Sequence, residues 1–172
     1  MIPGREDAYR RLQHGLENAA RPAGLVRRQE HFVEHAWRHL ESTGVSWLGF
    51  YSIDPDDPEA MVLGPRRDRP ACSPIGLHGV CGQALVGGVT RIVGDVEELG
   101  ADYVACDPRD RSEIVIPLRL ESRGGRPFDS VLDLDSFELN SFSDADDRWL
   151  RACLASAGLV SSETPVPGSA NT

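Results

Sequence analysis

The chain has 172 residues and a formal net charge of −9, and all 18 of its basic residues are arginines. That length fits one domain with a single core, and the acidic balance disfavours a nucleic-acid partner. The lack of lysine excludes Schiff-base lysine enzymes and nucleotide hydrolases with a lysine-bearing phosphate loop.

The chain has no apolar stretch long enough to cross a membrane, so we expect no membrane partner. Its N-terminal residues lack the apolar segment of a secretory signal. We therefore expect a soluble, cytoplasmic protein whose thiols can stay reduced.

The N-terminal part of the chain predicts two helices. Residues 5–20 are typical of a short polar helix, and Ala23 to Leu40 of a longer amphipathic helix that ends before Gly44. The apolar face of the longer helix consists of Leu25, Val26, Phe32, Val33, Ala36, Trp37 and Leu40.

From Val45 to Ile53 the pattern changes to strand-like alternation. This places Val45, Trp47, Tyr51 and Ile53 on one side and Leu48 and Phe50 on the other. Bulky residues on both sides predict a central strand. A turn at residues 54–58, followed by Ala60 to Leu63, predicts the returning strand of a hairpin.

The middle of the chain predicts a long loop over residues 64–82, a short helix from Gly82 to Val86 and a strand from Arg91 to Val93. A second hairpin is predicted from Glu113 to Leu120 and from Ser130 to Asp135, across Gly124-Gly125.

Ser143 is expected to cap a final helix. The buried stripe of that helix comprises Trp149, Leu150, Cys153, Leu154, Ala157 and Val160. The predicted fold is α+β, with a central antiparallel sheet flanked by N- and C-terminal helices. We expect an N-terminal helical extension at residues 1–22, one domain at 23–160 and a disordered tail at 161–172.

Three of the four cysteines, Cys72, Cys81 and Cys106, lie in loop-like sequence, whereas Cys153 lies on an apolar helix face and is expected in the core. Clustered loop thiols favour redox or nucleophilic chemistry over structural burial. Zinc is the alternative, with His78 as a further ligand. The eight and 24 residues between successive cysteines do not match the short ligand pairs of closed zinc sites, so no metal is expected.

Asp133 and Asp135 alternate with leucines and therefore project from one face of a strand. One interpretation is a sheet face open to water. The other is a pocket for an ammonium group or a proton donor, with Trp47 and Tyr51 as an aromatic wall.

The segment His31 to His35 matches the HxxEH pattern of one metallopeptidase class. Its histidines, with His39, lie on the polar side of the predicted helix, and no distal glutamate ligand can be identified. A solvated helix face is therefore favoured over a metal site.

Seven short blocks occur in order and carry a family resemblance that covers roughly residues 25–155. They are Trp47 to Tyr51, Leu63 to Pro65, Pro70 to Cys72, Gly79 to Gly82, Ala105 to Asp107, Arg111 to Leu118 and Val131 to Ser136. The series resembles the free methionine-(R)-sulfoxide reductases, which are single GAF domains.

The resemblance implies an enzyme that reduces the R epimer of free methionine sulfoxide, is recycled by thioredoxin and needs no bound cofactor. Cys106 matches the nucleophile, which would pass through a sulfenic acid, and Cys72 matches the resolving cysteine. Cys81 matches a third cysteine that either resolves as an alternative or supports the pocket. Family members often form homodimers.

The resemblance also implies that Trp47 and Tyr51 wall the methyl and sulfur end of the substrate. Glu113, Asp133 and Asp135 match the acidic residues of the pocket. A carboxylic acid kept neutral by acidic neighbours could protonate the sulfoxide oxygen.

Two segments depart from the family pattern. The stretch from Ser73 to Val80 is one residue shorter than the family pattern, and His78 stands where a lysine or arginine is usual. The stretch from Glu121 to Ser130 is longer and ends in serine rather than glycine. The short loop leaves open whether Cys72 or Cys81 resolves the sulfenic acid.

The rival interpretation is a GAF module that binds a small ligand for signalling without catalysis. Such a module needs neither three loop thiols nor an acid cluster beside one of them.

Overall fold

The computed structural model describes residues 2–67, 69, 71–102, 106–120 and 128–160. Its helices are α1 (Arg5–Asn18), α2 (Leu25–Leu40), α3 (Val80–Gly87) and α4 (Asp144–Ser156). Its strands are β1 (Trp47–Ile53), β2 (Ala60–Arg67), β3 (Ile75–Gly76), β4 (Arg91–Val93), β5 (Ser112–Leu118) and β6 (Ser130–Ser136).

The strands form one antiparallel sheet in the order β3-β2-β1-β6-β5-β4. This confirms the α+β class and the central position of β1. The hairpin pairing of β1 with β2 and of β5 with β6 is confirmed as well. The predicted Gly124-Gly125 turn and the predicted disordered tail lie outside the described residues.

The two faces of the sheet are covered differently. On the helical face, α1, α2 and α4 bury a core whose sheet residues are Leu48, Phe50, Ile114, Ile116, Leu118, Leu132 and Leu134. On the opposite face, here called the pocket face, α3 packs on a smaller cluster that contains Trp47, Tyr51, Val115 and Val131. This division follows from the two-residue period of the strands.

A buried ion pair links the helical layer together. Arg5 is fully buried and donates hydrogen bonds to the Thr43 and Ser141 carbonyl oxygens, and its guanidinium lies 3.4 Å from Asp146. Asp146 also accepts a hydrogen bond from Tyr9 and closes the capping box with Ser143. The predicted Ser143 cap is therefore confirmed, and α1 is bound into the core through its buried face.

Several predicted boundaries and faces were wrong. Val45 precedes β1 and packs in the core of the helical face, because alternation begins only where β1 pairs with β6. Val26 is exposed, and Gln29 occupies the buried face of α2 instead. Cys153 is fully buried, as predicted.

The predicted loop over residues 64–82 also contains regular structure. β2 continues to Arg67, β3 adds a short strand, and α3 begins at Val80. Cys81 therefore lies on a helix, not a loop. In the part of the chain that the structure describes, no helix combines the length and apolarity that a membrane span requires.

Candidate active site

Strand register gathers the predicted acidic and aromatic residues on the pocket face. Trp47 of β1 pairs with Asp135 of β6, which pairs with Glu113 of β5. In the next row of the same face, Gly49 pairs with Asp133. Residues directly opposite each other on neighbouring strands point to the same side. The sheet thus brings all three predicted acids beside the indole of Trp47.

Gly49 is required for this arrangement. A Cβ atom at this position would lie 2.5 Å from the Trp47 ring and 2.9 Å from the Arg66 side chain. The indole can therefore lie across the Gly49 backbone only because no side chain is present there.

A cavity opens between this sheet face, the start of α3 and the two cysteine segments. It contains about 50 Å³ of space that the centre of a water molecule can occupy. Its lining consists of Trp47, Tyr51, Ala71, Ile75, Gly76, Gly79, Val80, Cys81, Cys106, Asp110, Glu113, Asp133 and Asp135. All five predicted substrate-binding residues are therefore present, together with Cys81 and Cys106.

Cys72 and Cys106 are joined by a disulfide, with their Cα atoms 5.5 Å apart and 34 positions apart in sequence. The Cys72 backbone N–H also points to the Cys106 sulfur at 3.2 Å. Cys106 is exposed and Cys72 is half-buried, so an external thiol can approach the bond from the Cys106 side.

Cys81 occupies a different environment. It is buried on α3, and its thiol donates to Asp133 Oδ2 at 3.4 Å. Burial raises the pKa of the Cys81 thiol well above its ordinary value, and the Asp133 and Glu113 carboxylates raise it further. A thiol in this state is a poor nucleophile, because the thiolate is the reactive species.

The three predicted acids all bind protons more tightly than usual. Burial, followed by the nearby Asp135 and Asp110, raises the pKa of Glu113 to about 8. Burial is also the largest cause of the raised pKa of Asp133 and of Asp135, and a neighbouring carboxylate adds to each. The cluster therefore retains protons at neutral pH.

Two oxygen atoms of this cluster, Glu113 Oε1 and Asp133 Oδ1, are buried without a hydrogen-bond partner among the described residues. Together Glu113, Asp133 and Asp135 place oxygen atoms within 4.8 Å of one another. Such a set could accept a hard metal ion or an ammonium group. Buried polar atoms of this kind are costly unless a ligand satisfies them.

Asp110 is a fourth acid of the pocket, and the sequence pattern does not predict it. It is 6% exposed, accepts a hydrogen bond from Ser46 at 3.2 Å, and lines the cavity together with Cys106. Burial raises its pKa to about 6. It precedes β5, so strand alternation gave no sign that it would face the pocket.

The two aromatic residues do more than wall the cavity. The Trp47 indole N–H donates to the Arg69 carbonyl oxygen at 2.9 Å, and the Tyr51 hydroxyl donates to the Cys72 carbonyl oxygen at 2.8 Å. Their polar ends therefore attach the segment that carries Cys72 to β1.

The histidines of the HxxEH pattern lie away from this cavity. The rings of His31 and His35 are 4.3 Å apart on α2, and Glu34 pairs with Arg67 of β2. Among the described residues, the one cluster suited to a metal ion is the acidic trio of the pocket face.

The chain and its fold are similar to known proteins, although no family model matches the chain. The chain is 36% identical over 115 residues to the free methionine-R-sulfoxide reductase of Escherichia coli, covering 66% of this chain. Alignments with three curated relatives span 62 to 64% of those proteins' lengths.

Two solved structures superpose on the fold over most of its length. The substrate complex of free methionine-R-sulfoxide reductase from Neisseria meningitidis has a TM-score of 0.74 and 32% identity, and the match covers 88% of this chain and 87% of that one. A GAF domain structure has a TM-score of 0.70 and 25% identity, with 92% and 90% covered. The architecture is that of a GAF domain.

Proposed function

The chain belongs to the free methionine-R-sulfoxide reductase family, and we propose that it reduces the R epimer of free methionine sulfoxide to methionine. One observation carries this proposal. A single pocket combines an aromatic wall, a cluster of carboxyl groups with orphaned oxygens and a disulfide at its rim.

The pocket chemistry suits each part of this substrate. The orphaned Oδ1 of Asp133 can accept the α-ammonium group, whose positive charge favours the carboxylate form of Asp133. The rings of Trp47 and Tyr51, with centroids 6.2 Å apart, offer an apolar surface to the methyl and sulfur end.

In the proposed reaction, the Cys106 thiolate attacks the sulfoxide sulfur. The sulfoxide oxygen needs a proton for the S–O bond to break, and Glu113 is the donor that its pKa of about 8 favours. As the S–O bond of the substrate breaks, the oxygen and its proton are transferred to the Cys106 sulfur, which gives up two electrons to the substrate sulfur. Methionine leaves, and Cys106 is left as a sulfenic acid.

Cys72 is the resolving residue in this proposal. Its thiol attacks the sulfenic sulfur of Cys106, the S–O bond breaks, water leaves and the disulfide forms. A dithiol protein such as thioredoxin then transfers two electrons to the disulfide. Cys81 takes no part in resolving the sulfenic acid in this scheme, because its thiol is buried and hydrogen-bonded to Asp133.

The test supplies racemic free methionine sulfoxide together with thioredoxin, thioredoxin reductase and NADPH. We expect NADPH consumption to stop at half of the substrate, as R selectivity requires. Cys106→Ser is the matched control and should consume none.

A second measurement separates the chemistry from its recycling. Reduced protein, mixed with the sulfoxide in the absence of any reductant, should release one methionine per chain and form the Cys72–Cys106 disulfide. A folded, reduced sample that releases none would leave a ligand-binding GAF module as the better interpretation.

A further inference from the structure

We propose that Arg69 is a positioning residue that holds the Cys72 segment beside the Cys106 segment. The effect of Arg69 on turnover of the sulfoxide rests on the proposed reductase function, whereas the effect of Arg69 on the dithiol–disulfide equilibrium does not. Nothing in the sequence singles out Arg69 from the other arginines before Cys72.

The contacts of Arg69 reach separate parts of the pocket rim. Its guanidinium pairs with Asp107 at 3.0 Å and donates to the Ser46 carbonyl oxygen at 3.1 Å. Its own carbonyl oxygen accepts the Trp47 indole N–H. Asp107 directly follows Cys106, so this one side chain joins both cysteine segments to the start of β1.

Arg109 provides a natural contrast within the same cluster. It also pairs with Asp107, at 2.8 Å, and it also stacks on Phe137, with its guanidinium carbon 4.6 Å from the ring centroid against 5.2 Å for Arg69. Arg109, however, belongs to the Cys106 segment itself. Its pairing with Asp107 therefore stabilises one segment and does not connect two.

The connection matters most when the disulfide is open. In the reduced protein nothing covalent holds Cys72 near Cys106 across the 34 positions that separate them. The rate and the equilibrium of S–S bond formation then depend on the effective concentration of one sulfur at the other. Noncovalent contacts that keep the segments together raise this concentration.

The step that Arg69 assists creates no net charge and needs no added reagent. The Cys72 thiol loses its proton and bonds to the sulfenic sulfur of Cys106, and hydroxide leaves with that proton as water. The contacts of the Arg69 guanidinium with Asp107 and the Ser46 carbonyl oxygen assist this step through the placement of the two segments.

The first test needs no substrate. The protein is equilibrated with mixtures of reduced and oxidised glutathione, and the Cys72–Cys106 disulfide is quantified by mass spectrometry after alkylation. We expect Arg69→Gln to lower the equilibrium constant for disulfide formation at least about threefold, as loss of a half-buried ion pair and a hydrogen bond implies.

Arg109→Gln is the matched control, because it removes the same charge and the same kind of Phe137 contact. Its equilibrium constant for disulfide formation should stay within about twofold of the wild-type value, since the pair between Arg109 and Asp107 lies within the Cys106 segment. Arg69→Lys should recover most of the loss through the Asp107 pair. Equal effects of Arg69→Gln and Arg109→Gln, or no recovery in Arg69→Lys, would overturn the proposal.

The second test measures the kinetic consequence. After reduced Arg69→Gln reacts with the sulfoxide, dimedone should trap more Cys106 sulfenic acid than in the wild type, and kcat should fall with KM unchanged. A raised KM with normal disulfide formation would instead make Arg69 a substrate-binding residue. If Arg69→Gln does not fold, Asp107→Asn breaks the same bridge from the other side and should show the same equilibrium shift.

Discussion

The two faces of the sheet both bury ionisable groups, but these groups differ in whether their polar atoms have hydrogen-bond partners. On the helical face, Arg5 and Asp146 are fully buried, and each has several hydrogen-bond partners. On the pocket face, Glu113 and Asp133 each keep a buried oxygen without a partner among the described residues. A satisfied network stabilises architecture, whereas orphaned atoms indicate a place where a ligand supplies the partner.

The cysteines repeat this contrast. Cys153 is fully buried in the helical core, and burial raises the pKa of its thiol to about 12. Cys106 is exposed at the pocket rim and is joined to Cys72. The same residue type therefore fills space on one face and is available for chemistry on the other.

The largest expected effect comes from comparing single substitutions of Cys106 and Cys153. Cys106→Ser should lower kcat/KM for the sulfoxide by roughly 10⁴-fold or more, because no other exposed thiol lines the pocket. Cys153→Ala should leave kcat/KM unchanged and lower the free energy of unfolding by about 1 kcal/mol. Steady-state kinetics and urea unfolding measure the two. Activity lost in both variants would remove the distinction between the faces.

Glu113→Gln tests the proton donor on the pocket face. It should lower kcat/KM by roughly 10³-fold, the scale of general acid catalysis. In the wild type the donor is active below its pKa of about 8, so kcat/KM should fall as pH rises through that value. The variant should lack this alkaline limb. A variant that keeps both the rate and the limb would exclude Glu113 as the donor.

The same raised pKa has a consequence for stability. Glu113 binds its proton more tightly folded than unfolded, so its contribution is complete below the unfolded value of about 4.5 and is lost as pH rises through about 8. Thermal unfolding of the wild type should therefore occur at a lower temperature at pH 8.5 than at pH 6. Glu113→Gln should reduce this difference.

A pair of isosteric changes compares the two acid environments directly. Asp146→Asn should cost about 2 kcal/mol or more of unfolding free energy, because it leaves the buried Arg5 guanidinium without its carboxylate. Asp133→Asn should cost little or even stabilise the free protein, since it removes a crowded buried acid, while raising KM for the sulfoxide. The reverse pattern would mean that Asp133 supports the fold and not the ligand.

The alternation of apolar and polar residues was enough to predict the sheet and the shared face of Asp133 and Asp135. The bulky residues on both sides of β1 predicted its central position. Strand periodicity repeats every two residues, so side-chain direction follows from sequence once a strand is identified. Val45 shows the limit of this kind of prediction. The sheet face on which its side chain lies depends on where the pairing of β1 with β6 begins, which the sequence pattern does not give.

The polar contacts around the cysteines could not be predicted in this way. Asp110 and Arg69 lie outside the strands, and their roles depend on how loops approach β1 and each other. The Gly, Pro, Arg and Ser content of residues 64–82, with Gly79 and Gly82 close to Cys81, predicts a loop at Cys81. Gly82 instead lies within α3, packed so close to Leu77 that a Cβ would be 2.3 Å from its carbonyl oxygen.

The smallest expected effect concerns the hydroxyl of Tyr51. Burial, followed by the nearby Asp133, raises its pKa above the ordinary value, so the hydroxyl remains a neutral donor to the Cys72 carbonyl. Tyr51→Phe should therefore weaken disulfide formation in the glutathione equilibrium by about 1 kcal/mol or less while the ring keeps KM unchanged. Ser52→Ala is the control, because it removes a hydroxyl from the same strand that contacts Ser130 and not Cys72. A raised KM without a shift in the disulfide equilibrium would mean that the Tyr51 hydroxyl binds the substrate. The Cys72 segment would then be held in place by Trp47 and Arg69 and not by Tyr51.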